Sequence, residues 1–457
     1  MSGNLPFGFH PPGEGEEPNQ PPGGFDLGNL GAALESLGRM LQTGGSAGPV
    51  NWEMAKQVGR QHEAQRKDPG VSPAESTAVN DAVQLANHWL DDSCSFAASN
   101  AAAIAWSRGE WLDNTLPAWQ RYVTPVAEQV TSTMSDLMGG QGMPGAGDIP
   151  GMDSEQIQAL LGPLSGITQQ LGSAMFATQA GQGLGMLSGE VLCSSDIGIP
   201  LTPDGRPSLL PANINAFADE LELPRQDVLV YIALRECAHQ RLFTHVPWLR
   251  SRLEEAVAAY ARGIHVDTSA IEEMMGQVDP MNPESMQNLM SEDMFKPQES
   301  PEQKAALARL ETLLALVEGW VEIAVAGAAA ERLPSLPQLT EAMRRRRAAG
   351  GPAEKTFANL VGLEMRPRRL REAAAYWNRV TDGDVNTRDN RWEHPDLLPT
   401  SEDLDDLDGF FAGLEVPELE AGDWPVAEDD TSASENSESD TGTDTDTDSD
   451  EDPPQTP

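Results

Sequence analysis

The sequence predicts a mainly helical domain between two disordered tails. Three observations carry this reading. Apolar residues recur at the helical period through most of the middle of the chain, and the alternation that marks strands is scarce. The first 48 residues are rich in Gly, Pro and Asn, as in "PFGFHPPGEGEEPNQPPGGF". The last 58, from Thr400, hold 21 Asp and Glu and no Lys or Arg. Neither end has enough apolar side chains to offset the entropy of ordering it. The stretch between them, residues 49–399, is long enough to bury a substantial core.

Helices are expected in order over 78–90, 119–137, 155–192, 211–221, 228–244, 251–262, 302–331 and 356–379. Val79, Val83, Ala86 and Leu90 mark the first, and Trp119, Val123, Val126 and Val130 the second. The third is long and almost free of charge. Within it Gly181, Gly185 and Gly189 recur every four residues, which gives one smooth helix face for a closely packed neighbour. Pro211 suits the first turn of the fourth. The sixth carries Leu253, Val257 and Tyr260 on one face. Gly- and Pro-rich stretches at 138–152 and 279–301 read as flexible loops.

Net charge is −42, and the acidic tail supplies half of it. An acidic domain argues against nucleic acid as the main partner, because phosphate binding needs clustered cations. Two basic runs, "RRRR" (344–347) and "RPRRLR" (366–371), stand against that background. They read as solvated helix ends, or as receivers of the acidic tail or an anionic ligand. Cys94, Cys193 and Cys237 are odd in number and widely spaced, which points to a reducing compartment. The start of the chain lacks a basic stretch followed by an apolar run. The most apolar segment, 310–330, carries Glu311, Glu318 and Glu322, which a lipid-facing helix rarely tolerates. These features together predict a cytoplasmic protein with no membrane partner.

The chemistry concentrates in "ALRECAHQRLFTHVPWL", 233–249. A histidine at 235 would complete H-E-x-x-H, two metal ligands one helical turn apart with a general-base Glu between them. The chain has Arg235, and a guanidinium stays protonated and cannot ligate a cation. On a helix, Glu236 and His239 share a sector with Val228, Ile232 and Phe243, where a bare carboxylate is costly unless paired. One reading makes Arg235, Glu236 and His239 a hydrogen-bonded group inside a packed bundle. Another keeps Glu236-x-x-His239 as the remnant of a metal site, joined by a carboxylate from "LLALVEGWVEIAVAG" (313–327). Glu318 and Glu322 lie one turn apart there.

The segment "NINAFADELELPRQDVLVYIALRECAHQRLFTHVPWLRSRL" (213–253) resembles the core of a bacterial zincin-like family. Its members are described as hydrolases or zinc-dependent metalloproteases, some linked by name to deazaflavin-coenzyme biosynthesis. The resemblance takes in "GLGMLSGEVLCSSDIGIPL" (183–201), "LLALVEGWVE" (313–322) and "RRRRAAGGPAEKTFANLVGLEMRPRRLREAAAYW" (344–377). It implies a zincin-like helical metallopeptidase-type domain with Glu236 as general base, His239 as second zinc ligand and Glu318 as third. Two departures stand out: Arg235 occupies the first-ligand position, and Trp320 replaces the His of Glu-Gly-His. The resemblance therefore implies peptide-bond hydrolysis if His245 or Glu322 supplies a replacement ligand. Without one, zinc is weak or absent, and the domain is a catalytically impaired pseudoenzyme whose cleft binds a peptide or protein. In that case Arg235 pairs with Glu236 or Glu318 and stands in for the metal charge.

Overall fold

The structure is a computed structural model that describes residues 48–66, 68–139, 154–202, 205–263, 300–348 and 368–414. The Gly/Pro-rich start, nearly all of both predicted loops, residues 356–367 of the last expected helix and the tail from 415 lie outside the described residues. Described residues up to Phe410 fall within one compact unit, and those from Phe411 on belong to a second.

The fold is mainly α. Helix α1 (Trp52–Arg66), absent from the sequence reading, packs along α4 (Ser154–Ser188). The smooth glycine face explains the contact. A Cβ on Gly181 would sit 2.7 Å from Val58 Cβ, and one on Gly185 would sit 3.0 Å from His62 Cβ. Helix α1 escapes a periodicity search because it buries only Ala55, Gly59 and Glu63, too little apolar surface to mark a face. Helix α2 (Pro73–Leu90) starts on a Ser72/Glu75 capping box and buries Val79, Ala82, Val83, Ala86 and Leu90. It packs on α6.

Helix α3 (Arg108–Gly139) begins earlier than the expected 119 and runs through Pro117 and Pro125. Ser107 and Glu110 cap its start reciprocally, Ser107 N donating to Glu110 (2.8 Å) and Glu110 N to Ser107 Oγ (3.2 Å). Helix α5 (Pro211–Leu221) has the expected bounds and stops at Glu222, in a left-handed conformation (φ 55°). Next come α6 (Arg225–His245) and α7 (Pro247–Arg262). Helix α8 (Pro301–Ala329) opens on a Ser300/Gln303 capping box. It is long and apolar enough to cross a bilayer, but protein covers most of it, and α6, α7 and α10 (Leu370–Thr381) pack against it. Burial of a core helix accounts for its apolar composition.

Helix α9 (Leu336–Ala348) carries the first basic run, and α10 (Leu370–Thr381) follows. Beyond it lie α11 (Val385–Asn390) and two short 3-10 turns. Residues that the sequence assigns to the acidic tail also form helices, α12 (Ser401–Asp405) and α13 (Leu407–Leu414). Leu404 is buried, and Arg369 donates to the Ser401 carbonyl and to Asp405 (2.6 Å). One apolar side chain and a paired arginine thus carry the packed region past Thr400.

Strand pairing among the described residues is minimal: β1 (Ile104–Ala105) lies parallel to β2 (Ser208–Leu209). Cys193 bridges Leu209 on the other side, so the loop between α4 and β2 folds back on itself. Every residue of that loop from Val191 to Thr202 is buried. It presses against α6, whose residues Val230 to Phe243 are all buried. Helix α6 is the central rod, and the RExxH run lies in its middle.

Candidate functional site

Arg235 and His239 are one turn apart on α6 and project on the same side. Helix α8 passes there and presents Glu318. All three are buried, at 6%, 1% and 2% exposure. Arg235 Nη2 donates to Glu318 Oε2 at 2.5 Å, and His239 Nε2 lies 3.2 Å from Glu318 Oε1. The Nδ1 of His239 is 2.9 Å from the Arg235 carbonyl. That bond orients the ring and turns Nε2 toward Glu318, an arrangement also used to aim metal-ligating imidazoles. With Nδ1–H donating to a carbonyl, Nε2 of a neutral ring has only a lone pair to show a carboxylate. The Glu318 contact is a hydrogen bond only when the ring carries its second proton.

A fourth group, not anticipated from the sequence, completes the cluster. Arg347, in the last turn of α9, donates through Nη2 to Glu318 Oε1 (2.9 Å) and to the Asp196 carbonyl. Its neighbour Arg346 donates to Asp196 Oδ2 (2.9 Å) and to the Glu190 carbonyl (2.7 Å). Burial pushes the Glu318 carboxyl up, but Arg347, Arg235 and His239 outweigh it and hold the group well below the carboxylate range. Burial acts to lower the Arg235 pKa, but Glu318, with Tyr231 and Asp196, outweighs it, so the guanidinium is held charged above its ordinary range. Gly198 (φ +79°) lets the loop approach this cluster, since a Cβ there would lie 3.0 Å from Glu318 Oε1.

Glu236 is engaged elsewhere. Its Oε1 accepts from Ser194 Oγ (2.5 Å), Ser208 N (3.1 Å) and Gln240 Nε2 (3.0 Å). Its Oε2 accepts from Ser195 N (3.1 Å) and Ser195 Oγ. Five donors around a fully buried carboxylate fill the lone-pair directions that a general base would use. Glu236 is the anchor that ties the 191–209 loop to α6. The signal for this was "CSSD", whose serines carried no chemistry in the sequence reading.

The other candidates lie outside the cluster. His245 is exposed, with Nδ1 2.9 Å from the Arg241 carbonyl and its ring stacked on Phe96 at 5.2 Å. Glu322 accepts from Arg344 Nε (3.1 Å) and Nη2. Neither joins His239 and Glu318. Trp320, two residues from Glu318 and so about 200° around α8, donates to Asp389 Oδ1 (2.8 Å). The basic runs are used internally too, since Arg345 pairs with Glu341 and Arg368 with Glu311. Burial, reinforced by Glu236, pushes the Cys193 thiol well up, and burial lifts Cys94 to about 11, so neither is poised as a thiolate.

The residues present do not fit a zinc ion. Among the described residues only His239 and Glu318 offer ligand atoms at the family's position, against the three usual in catalytic sites. Both Glu318 oxygens are already bonded to guanidinium groups. Among all described residues, no group of three or more His, Cys, Asp or Glu side chains is placed to hold a metal.

A family model described as a zincin-like metallopeptidase matches residues 50–411. A search of curated proteins gives no match. A crystal structure from Chloroflexus aurantiacus, described as "a putative hydrolase with a novel fold", superposes with a TM-score of 0.55 at 18% identity. The match covers 80% of this chain and 98% of that one, and at this identity the likeness is one of fold.

Proposed function

Because the chain belongs to the zincin-like metallopeptidase family, we propose that it is a non-hydrolytic member, in which a guanidinium replaces the metal. The domain then serves to bind a peptide or protein ligand. The observation that carries this is the buried pair of Arg235 Nη2 and Glu318 Oε2 at 2.5 Å. A carboxylate at the family's third-ligand position is neutralised by the very residue that stands in place of the first ligand. Guanidinium suits the role because its planar fork matches a carboxylate and its charge persists at any physiological pH. The Glu236 donors support the same reading, since a base must have a free lone pair to take a proton from water.

The metal-hydrolase alternative rests on one feature, the Nδ1 contact that aims His239 Nε2 at Glu318. Elemental analysis of the full chain after dialysis against trace zinc separates the two readings. The non-hydrolytic reading expects far less than one zinc per chain and no cleavage of a quenched-fluorescence peptide library with zinc added. One zinc per chain together with chelator-sensitive cleavage would overturn it.

A further inference from the structure

Arg235 alone does not balance the books of a missing divalent ion. A zinc ion brings two positive charges, and Arg235 restores one. The second comes from Arg347, on a different helix and 29 residues beyond Glu318. Arg347 is 7% exposed, and its Nη2 bridges Glu318 Oε1 and the Asp196 carbonyl. Arg346 beside it pairs with the Asp196 carboxylate at 2.9 Å, so that acid is already matched. Around Glu318 the described side chains therefore include two guanidinium groups for one carboxylate. Arg235 meets Oε2 and Arg347 meets Oε1, and between them they cover both oxygens.

We propose that Arg235 and Arg347 together replace the two charges of the metal, and that Arg347 is an independent lock on the site. This deepens the non-hydrolytic reading and rests on it. The consequence is specific: restoring the missing imidazole is not enough to restore a metal centre. In Arg235→His, an imidazole is added beside His239 and Glu318 as the third ligand. The Arg347 head still holds Glu318 Oε1, and its charge still repels a divalent cation across a few ångströms of buried protein. Neutralising Arg347 as well frees the oxygen and removes the repulsion. Methionine is the suitable replacement, since it is unbranched and fills the space of the arginine stem without a charge.

The test uses the full chain, washed free of metal and titrated with zinc sulfate against a chromophoric chelator. Four proteins are compared: native, Arg235→His, Arg347→Met and the double variant. Native and Arg347→Met bind no zinc in competition with the chelator. The double variant binds one zinc at least about 100-fold more tightly than Arg235→His, a modest share of the repulsion expected between a divalent ion and a buried unit charge. Arg235→His with Arg347→Lys keeps the charge and stays weak. Thermal melting of each variant checks that it is folded, and Arg347→Gln replaces Arg347→Met if the latter is not. If Arg235→His binds within about threefold of the double variant, Arg347 is no lock. If the double variant binds no better than native, two guanidiniums are not what displaced the metal. Either result overturns this proposal while leaving native zinc binding, and with it the non-hydrolytic reading, to stand or fall separately.

Discussion

Replacing Glu318 with Gln keeps the shape of the side chain and removes its charge. Two guanidiniums, Arg235 at 6% and Arg347 at 7% exposure, are then left without their carboxylate. Breaking one partner out of a buried ion pair costs about 3–5 kcal/mol, because the remaining charge is poorly solvated. The loss stays within that range, since the Gln oxygen still accepts a hydrogen bond and Arg347 keeps the Asp196 carbonyl. For a folded region of roughly 300 residues, at about 2 °C per kcal/mol, the melting temperature falls by about 6–10 °C. Glu322→Gln is the matched control, because its partner Arg344 is 42% exposed. A half-solvated pair of that kind is worth less than about 1 kcal/mol. Urea and thermal unfolding at pH 7 read both variants. If Glu318→Gln costs less than about 1 kcal/mol, or no more than Glu322→Gln, Glu318 is not the counter-charge of a buried cluster, and the account of the site fails.

The same carboxylate predicts a pH dependence. Burial alone would raise it, but Arg347, Arg235 and His239 outweigh that and hold the folded form well below its ordinary 4.5, so its contribution is complete above about pH 4.5 and is lost as pH falls further. The stability gap between native protein and Glu318→Gln should therefore be level from about pH 6 to 8 and narrow below about pH 4.5, and a gap that widens in acid would contradict it. Helix α4 offers a contrast between two of its glycines. Gly181→Ala places a Cβ 2.7 Å from Val58 Cβ and should cost about 1–3 kcal/mol in urea unfolding. Gly172→Ala meets nothing within 4 Å and should stabilise by about 0.5–1 kcal/mol, the ordinary helix preference for Ala. Ending the chain at Thr400 removes buried Leu404 and the Arg369 partners, and should cost about 2 kcal/mol by calorimetry. Ending it after Leu414 removes the densely like-charged tail and should leave the melting temperature within about 1 °C; equal effects would refute the boundary.

What the sequence determined by itself is what local chemistry encodes. Periodicity placed the helix at 211–221 on its bounds and the central one within three residues, because an amphipathic or wholly apolar run declares itself over three or four turns. Spacing put Glu236 and His239 in one sector of a helix with Arg235 at its border, and the resemblance drew in Glu318; the fold turns Arg235 toward Glu318 and Glu236 toward the serines. The glycine ladder at 181, 185 and 189 announced a close neighbour but not which one. That neighbour, α1, has too few apolar side chains to show a face of its own. The motif names Glu236's place in the helix and not its hydrogen-bond partners. Those partners arrive from Ser194, Ser195 and Ser208, more than 25 residues away. Arg347 looked like one of four surface arginines, and only the fold carries it to Glu318. Which buried donors meet which buried acceptors is settled by the need to leave no charge or polar atom unpaired in a closed interior. That need is met between segments far apart in the chain, where periodicity and spacing carry no information.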